Sequence, residues 1–390
     1  MDSSLREELK KLRSLLRILR EINQTRDLHS LLRLLARETS SVINAERSTV
    51  FLHDPDTDEL WSIVAEGEKD QIRIGVGTGM AGFVFRSGET LLIPDVMEDT
   101  RFNPAIDQKT GFRTRSALTV PIVNPDGRTL GSFQVVNKLR GEFDDQDAEF
   151  LEAIANEAAI SIENVQLYES RKRMFDSLID ALAESIESRD PLTAGHSENV
   201  MRYAVAIAEE LGLPGSERET IKYAALLHDY GKIGIPDSVL RKPGPERLTP
   251  EEYTIIKKHV EYTHNILSRI DFEEGLRLVP LYATQHHERA SGDGYPEGLV
   301  LDQISIGGRI IAVADVYEAL TSERHYRSPL EPGAAYRILV EGIGTSFDAD
   351  PVLALGRHLV EEGAISAADL PGRRSPGIDP QAGPDLPVQQ

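Results

Sequence analysis

Five histidines and two aspartates, spread over about 120 positions in the second half of the chain, constrain its fold more than any other feature. Each of them lies in a stretch of apolar residues with helical spacing. They are His196, His228, Asp229, His259, His286, His287 and Asp315. A carboxylate that is buried without a partner costs several kcal/mol, so natural proteins pair it or place a cation beside it. The seven residues together therefore predict a helical domain whose side chains converge on a metal.

Helical periodicity directs these side chains inward. In the segment IKYAALLHDYGK, Ile221 and Ala224 lie on the same helical face as His228, so the imidazole points where the aliphatic side chains point. Similar apolar stripes accompany His196 and His259. One histidine on such a face is more often a hydrogen-bonded core residue than a ligand. The combination of five histidines with two aspartates favours the metal.

The absence of cysteine restricts the chemistry of this metal site. It removes disulfides and thiolate ligands, which leaves imidazole nitrogens and carboxylate oxygens. This donor set suits iron, manganese, zinc or a similar divalent ion. The sequence leaves the identity of the metal open.

Charge and hydropathy exclude some classes of partner. The formal net charge of −21 argues against binding to duplex nucleic acid, because such proteins need a basic face that neutralises phosphates. No apolar run is long enough to span a bilayer, and the N-terminus does not resemble a signal peptide. We therefore expect a cytoplasmic protein without a membrane or duplex nucleic-acid partner.

The N-terminal residues 1–24 contain leucines that alternate in steps of four and three. They are Leu5, Leu9, Leu12, Leu16 and Leu19. This short heptad seam predicts a helix with charged residues on its outer face. A coiled coil and a helix packed on its own domain both agree with the pattern.

Residues 25–165 are expected to form the first of about two domains, because single cores rarely exceed roughly 250 residues. From about residue 46 the pattern changes to short apolar strands, among them STVFLHD, SALTVPIVN and TLGSFQVVNK, separated by turn signals. Helical segments bracket these strands. The pattern predicts an α+β sensor-sized domain, with an antiparallel sheet flanked by helices.

A long helix is expected to connect the domains over residues 147–187, overlapping both, since no Gly or Pro interrupts it before Pro191. Its first part carries apolar residues at seam spacing. This seam and the N-terminal one are the basis for expecting a homodimer. The residues of this seam are Leu151, Ile154, Ala158, Ile162 and Val165.

Residues 175–365 are predicted to be all-α and to carry every candidate ligand. The segment 366–390 is rich in Pro and Gly and is expected to be disordered.

The candidate ligands lie in motifs that resemble the HD-GYP family of metal-dependent phosphohydrolases. The matching segments are ESRDPLTAGHS (187–197), ALLHDYGKIGIPD (225–237) with KPG (242–244), HHERASGDGYPEGL (286–299) and RIIAVADVYEALTSERHYR (309–327), together with His259. They occur in the order and at the spacing of the family. The resemblance covers essentially the whole second half of the chain.

This resemblance implies a phosphodiesterase that hydrolyses a cyclic dinucleotide, usually cyclic di-GMP, to pGpG or GMP. It implies that the seven residues named above bind two divalent ions, with iron or manganese favoured, which can bridge a hydroxide. Asp229 and Lys232 would act in catalysis. The positions that match substrate-binding residues of the family are Lys232, Arg324, Arg327, Gly294, Tyr295 and Pro296.

The chain departs from the family pattern at three positions. Leu192 stands where members that bind three metals have a Glu, so we expect two metals. Ser291 stands where an Asp is usual, and Ala290 where a large residue is common. These two changes lie in the loop beside the expected pocket, which leaves 3′,3′-cyclic GMP-AMP open as an alternative substrate.

The first half resembles a GAF domain, most specifically at FQVVNKLRGEFDDQD. Asn137, Lys138, Phe143 and Asp147 are similar to the NKFDE signature of cyclic-nucleotide-binding GAF domains, although Ala148 replaces the last acid. These four residues are the candidates for binding a small molecule, such as a cyclic nucleotide. The Lys and Asp of the signature can also form a structural salt bridge, so a pure dimerisation module is the alternative.

The resulting hypothesis is a dimeric signalling enzyme in which the GAF domain receives a signal and the connecting helix transmits it. The first alternative is a non-catalytic cyclic dinucleotide receptor or interaction protein. The second is an enzyme acting on another phosphoester, such as a nucleotide phosphohydrolase. The complete set of candidate ligands favours the phosphodiesterase over the receptor.

Overall fold

The computed structural model describes residues 13–371, except for residues 14, 15, 19, 23, 24, 26, 63–71, 190–194, 243–247 and 324–327. The chain divides into two compact units, Met1–Arg173 and Met174–Gln390. The first contains an antiparallel sheet with helices, and the second is mainly helical. This confirms the predicted fold class.

The first unit is built on a six-stranded sheet with the order β3-β2-β1-β6-β5-β4, in which all neighbouring strands are antiparallel. The strands are β1 (Ala45–Asp54), β2 (Glu59–Ser62), β3 (Ile72–Gly75), β4 (Leu91–Ile93), β5 (Ala117–Val123) and β6 (Thr129–Lys138). Side chains alternate between the two faces of this sheet. On β6, Val135 joins one apolar cluster and Val136 joins another.

Helices cover both faces of the sheet. They are α1 (Leu28–Ile43), α2 (Gly79–Ser87), α3 (Ala105–Thr110) and the first part of α4 (Asp145–Glu187). Leu35 of α1 and Ile154 of α4 are buried in the same cluster as Phe133 of β6. On the opposite face, Val84 of α2 packs in the cluster that contains Val136. The larger core of this unit therefore lies between the sheet and the pair α1 and α4.

The apolar seam predicted for the connecting helix packs on the sheet of its own chain. Leu151, Ile154, Ala158, Ile162 and Val165 are all buried in the core of the first unit. The interpretation of this seam as a contact between two chains is therefore wrong. The sequence shows which face of α4 is apolar, and only the folded sheet shows what covers it.

Part of the expected N-terminal seam lies outside the described residues, namely Leu5, Leu9, Leu12 and Leu19. Leu16 is described and exposed, whereas Ile18 and Ile22 are buried against the same core as α1. These contacts support a helix that packs on its own domain. In the tail expected to be disordered, residues 372–390 also lie outside the described part of the chain.

The second unit continues from the end of α4 with eight further helices of the described chain. They are α5 (His196–Glu210), α6 (Gly215–Leu227), α7 (Asp237–Leu240), α8 (Pro250–Leu267), α9 (Val279–Thr284), α10 (Ile306–Thr321), α11 (Pro332–Glu341) and α12 (Ala349–Glu361). A short 3-10 helix, Tyr230–Gly234, follows α6.

Helices α5, α6 and α10 pack together through fully buried aliphatic residues such as Val200, Leu227 and Val313. The candidate ligands lie at the start of α5, the end of α6, the middle of α8, the end of α9 and the inner face of α10. In the part of the chain that the structure describes, no helix is both long and apolar enough to cross a membrane.

Candidate metal centre

Three of the candidate ligands share one hydrogen-bond arrangement. The Nδ1 atoms of His228, His259 and His286 lie 2.7, 2.8 and 2.7 Å from the backbone carbonyl oxygens three residues earlier. A carbonyl can only accept a hydrogen bond, so each Nδ1 must carry the ring proton. In the neutral ring, each Nε2 atom is then an acceptor with a free lone pair. Such a hydrogen bond fixes the tautomer and the orientation of metal-binding imidazoles.

His196 is oriented by a carboxylate instead of a carbonyl. Its Nδ1 atom lies 2.5 Å from Oε2 of Glu318, which is itself buried on α10. The Oε1 atom of Glu318 accepts a hydrogen bond of 2.6 Å from the hydroxyl of Ser322. The Nε2 atom of His196 is directed towards Asp315, with 3.4 Å to its Oδ1 atom.

The structure brings all seven candidate ligands into one cluster, which we call the His/Asp cluster and in which only His287 is partly exposed. A first triplet consists of His196, His228 and Asp315, and a second of His259, His286 and His287. Within each triplet the ligand atoms lie within 4.8 Å of one another. Asp229 lies between the triplets, in a third such group with His228 and His286.

Contacts between acceptor atoms show that the His/Asp cluster fits a cation. The Nε2 atoms of His228 and His259 lie 3.4 and 3.3 Å from the carboxylate oxygens of Asp229, yet neither makes a hydrogen bond to the described residues. The buried Nε2 atom of His286 also has no such partner. A lone pair that faces a carboxylate at this distance is unfavourable unless a positive charge lies between them. Imidazole and carboxylate donors suit divalent transition metals.

Electrostatics keep these groups in the forms that bind metal. Burial lowers the pKa of His259 to about 4 and holds the pKa values of His286 and His287 well below the usual range. Burial raises the pKa of Asp229, but Lys232 and the surrounding histidines outweigh it, so the pKa lies well below its ordinary value. These imidazoles are therefore neutral at neutral pH, and the carboxyl of Asp229 is ionised.

A close approach of two helices places Asp229 beside His259. The 3-10 helix after Asp229 contacts α8 at Gly231, whose amide donates a 2.8 Å hydrogen bond to the hydroxyl of Thr263. That hydroxyl donates in turn to the carbonyl of His228, at 3.1 Å. A Cβ atom at Gly231 would clash with the carbonyl oxygen of His259. Glycine at this position is therefore what allows the two segments to touch.

Lys232 is buried at the edge of the His/Asp cluster. Its Nζ atom lies 2.8 Å from Oδ2 of Asp229. The structure thus places the predicted catalytic pair, Asp229 and Lys232, in direct contact. The two other cations predicted to meet the phosphates, Arg324 and Arg327, lie outside the described residues, as does Leu192.

The loop with Gly294, Tyr295 and Pro296 folds back onto the second triplet. The ring of Tyr295 stacks on His287, with 4.6 Å between the ring centroids, and its amide donates to the carbonyl of His287 at 3.1 Å. A Cβ atom on Gly294 would lie 2.6 Å from Cα of Glu288, so the backbones pack too closely for a side chain. Pro296 follows a cis peptide bond and is exposed.

Comparison with known protein families agrees with these two units. Residues 27–162 match the family model described as GAF domain, and residues 180–350 match the one described as HD domain. The second match contains all seven members of the His/Asp cluster. The chain joins a GAF domain to an HD domain.

Curated relatives of the chain are named as cyclic dinucleotide phosphodiesterases. It is 36% identical over 227 residues to 3′3′-cGAMP-specific phosphodiesterase 2 of Vibrio cholerae, covering 58% of this chain and 43% of the relative. It is 42% identical over 186 residues to the cyclic di-GMP phosphodiesterase response regulator RpfG of Xanthomonas campestris, covering 47% of this chain and 48% of the relative. A cyclic di-GMP phosphodiesterase of Thermotoga maritima is 43% identical over 168 residues, covering 43% of this chain and 45% of the relative. The chain thus spans less than half the length of these three relatives.

Two buried glutamates of the HD domain were not identified as site residues from the sequence. Glu318 orients His196, as described above. Glu288 accepts hydrogen bonds from the amides of Glu297 and Leu299, at 2.8 and 2.9 Å, and so closes the loop that carries Tyr295. A signal for Glu318 exists, because it follows Asp315 by three residues and shares its helical face.

The four candidate ligand residues of the GAF domain make contacts within the fold. The ammonium of Lys138 pairs with Asp147 and lies 5.5 Å from the ring centroid of Phe143. The side chain of Asn137 donates to Glu46 and to the carbonyl of Arg113, at 2.7 and 2.8 Å. The pair of Lys138 and Asp147 joins the end of β6 to the start of α4 as a structural salt bridge. Ligand binding by the four residues stays a prediction.

Proposed function

We propose that the HD domain is a metal-dependent phosphodiesterase that hydrolyses a cyclic dinucleotide, with cyclic di-GMP as the first candidate and pGpG, GMP or both as products. The observation that carries this proposal is the His/Asp cluster, with its inward-facing imidazole lone pairs and its ionised Asp229. The names of the relatives support the class of substrate.

Two divalent ions, iron or manganese, would be held by the two triplets, with Asp229 between them. The oxygens of Asp229 support this arrangement, because Oδ2 lies 3.8 Å from Nε2 of His196 and Oδ1 lies 3.3 Å from Nε2 of His259. Such ions supply Lewis acidity, activate water and neutralise charge on the phosphate.

The residues of the chain would prepare the site for an anionic substrate. The ammonium of Lys232 adds positive charge beside Asp229, where it favours the build-up of negative charge on a phosphate. Tyr295 presents an aromatic ring over His287, on the side of the second triplet. Gly294 and Pro296 would shape this loop against the dinucleotide, and Arg324 and Arg327 would add phosphate contacts.

The nucleobase preference of the site is a separate part of this proposal. Ser291 and Ala290 differ from the usual family residues, and several relatives are named for 3′3′-cGAMP. The hydroxyl of Ser291 hydrogen-bonds to Asp293, and its amide donates to the carbonyl of Thr345 at 2.8 Å. These contacts organise the loop beside Tyr295. 3′,3′-Cyclic GMP-AMP is therefore the second candidate substrate.

We also propose regulation by the GAF domain in a homodimer, with a small molecule or cyclic nucleotide as its ligand. Because the predicted seam is buried, another row of apolar residues on α4 would form the contact between the two chains. Ile160, Leu167 and Met174 are exposed and follow at intervals of seven residues. Substituting Leu167 and Met174 with Asp should lower the sedimentation mass, and an unchanged mass would argue against this surface.

Product analysis tests the enzymatic proposal. Cyclic di-GMP and 3′,3′-cyclic GMP-AMP are incubated separately with protein loaded anaerobically with Fe(II) or Mn(II), and the products are separated by chromatography. Linear dinucleotides or mononucleotides are expected, and the double variant His228→Ala, Asp229→Ala should form neither.

The same experiment addresses the non-catalytic receptor. Protein that carries two metals per chain and binds the nucleotides without converting them would favour that alternative. Hydrolysis of simple phosphoesters alone would favour a different phosphohydrolase. The complete His/Asp cluster favours a catalytic centre, because a receptor does not need all seven of these residues.

A further inference from the structure

Two residues at the C-terminal end of α4 contact the segment that begins with His196 and the segment that follows Asp229. Glu187 is the last residue of α4, and Arg189 follows it by two positions. Both belong to the helical unit Met174–Gln390, as do all their contacts below. Neither residue belongs to the His/Asp cluster.

Glu187 holds the start of α5, where His196 is the first residue. Its Oε2 atom accepts a 2.7 Å hydrogen bond from the amide of Gly195, and its Oε1 atom accepts one of 2.8 Å from the amide of Ser197. Amides in the first turn of a helix have no partner within the helix, and a carboxylate there also interacts favourably with the helix dipole. Because His196 lies between the two donors, this carboxylate fixes its backbone on both sides.

Arg189 holds the short helix that follows Asp229. Its guanidinium donates to the carbonyl oxygen of Ile235 at 2.9 Å and to that of Lys232 at 3.4 Å, and it also reaches the carbonyl of Ile233. The same group pairs with Asp237, at 2.8 Å. One planar guanidinium with several donors can satisfy these acceptors together, whereas a lysine ammonium lacks the fork geometry.

We infer that Glu187 and Arg189 are positioning residues that couple the end of α4 to the metal centre. A movement of this helix end would displace His196 through Glu187 and the segment of Asp229 and Lys232 through Arg189. This inference rests on the proposed function for its catalytic meaning. The positioning itself acts on metal binding and is measurable without turnover.

Glu187→Gln provides the first test. The amide keeps one acceptor oxygen but places an NH2 group against one of the two backbone donors, so one hydrogen bond and the charge are lost. We expect the affinity for Mn(II), measured by competition with a chelator, to fall about 10-fold, as is typical when an outer partner of a metal ligand is removed. Hydrogen exchange at Gly195 and Ser197 should accelerate. The matched control is Glu184→Gln, an exposed glutamate on the same helix.

Arg189→Lys tests the second contact and separates it from a simple ion pair. Lysine retains the attraction to Asp237 but loses most of the carbonyl contacts, so Mn(II) affinity should again fall about 10-fold. Asp237→Asn removes the ion pair and leaves the carbonyl contacts, so it should change the affinity less than twofold. Arg269→Lys, at an exposed arginine of the same domain, is the control for the substitution itself.

Circular dichroism and thermal unfolding establish that each variant is folded, and kcat and KM are measured with both cyclic dinucleotides. Mn(II) affinities of Glu187→Gln and Arg189→Lys within twofold of the unsubstituted chain would overturn the inference. If metal affinity falls in both variants but the unsubstituted chain hydrolyses neither nucleotide, positioning is supported and the proposed function is overturned. Normal turnover and unchanged metal affinity in both variants would overturn the positioning role and support the proposed function.

Discussion

Nδ1 of His196 lies 2.5 Å from Oε2 of Glu318, although 122 positions separate the two residues in the chain. This contact joins the first residue of α5 to α10. It gives His196 a different orienting partner from the three histidines that donate to carbonyl oxygens. A carboxylate partner also raises the basicity of an imidazole ligand.

Glu318→Gln should weaken metal binding. Glutamine can still accept a hydrogen bond from Nδ1 but has no negative charge, so His196 becomes a weaker metal ligand through Nε2. We expect the affinity for Mn(II) to fall about 10-fold, measured by chelator competition. Glu361→Gln, at an exposed glutamate of α12, is the control. Equal Mn(II) affinities in the two variants would contradict an orienting role for Glu318.

Lys232→Met should destabilise the metal-free protein. The substitution leaves the buried carboxylate of Asp229 without its closest cation, and we expect a loss of about 3 kcal/mol in the free energy of unfolding. Added Mn(II) should reduce this loss, because the ion replaces the missing charge. Urea unfolding with and without Mn(II) measures both values, with Lys258→Met as the exposed control. A loss that is the same with and without the ion would argue against this explanation.

Gly231→Ala should separate the 3-10 helix from α8. The new Cβ atom would clash with the carbonyl oxygen of His259, so we expect a loss of at least about 2 kcal/mol from overpacking. Metal binding should weaken as well, because Asp229 and His259 move apart. Gly275→Ala has no atom within 4 Å of the added Cβ and serves as the control. The idea fails if both alanine variants unfold at the same urea concentration.

The metal-free protein should lose stability in mild acid. His259 has a pKa of about 4 in the fold and 6.5 as its ordinary value, and burial also holds the pKa values of His286 and His287 well below 6.5. The unfolded chain binds more protons between these values. The free energy of unfolding should therefore fall by about 1.4 kcal/mol per pH unit for each histidine as the pH drops below 6.5.

His196 does not oppose this trend in the same window. Burial lowers its pKa, but Glu318, Asp315 and Asp229 outweigh burial and raise it above 6.5. Its contribution is fully present below pH 6.5 and is lost as the pH rises through the folded value. Urea unfolding of metal-free protein at pH 6 and pH 5, where the contribution of His196 is present at both values, measures the effect of the other three histidines. Replacing His259 with Gln should reduce the slope, and a flat profile would show that the imidazoles are not buried as neutral groups.

Much of the metal centre was predictable because helical spacing reveals which side chains face inward. The stripe of Ile221, Ala224 and His228 predicted a buried imidazole, and His228 is fully buried. The same reasoning failed to show what covers the apolar face of α4. Spacing showed that Leu151 and Ile154 lie on one face, but a partner chain and the sheet of the same chain would bury that face equally well.

The sequence by itself determined the two fold classes, the inward faces of the helices and the seven residues of the His/Asp cluster, since each depends on local periodicity and residue chemistry. Only the tertiary structure decided that Glu318 orients His196, that Glu187 and Arg189 hold the segments around the cluster, and that Lys138 pairs with Asp147. These relationships join separate parts of the chain. Their physical basis is the satisfaction of buried donors and charges, and which partner satisfies each group depends on how the helices and strands pack.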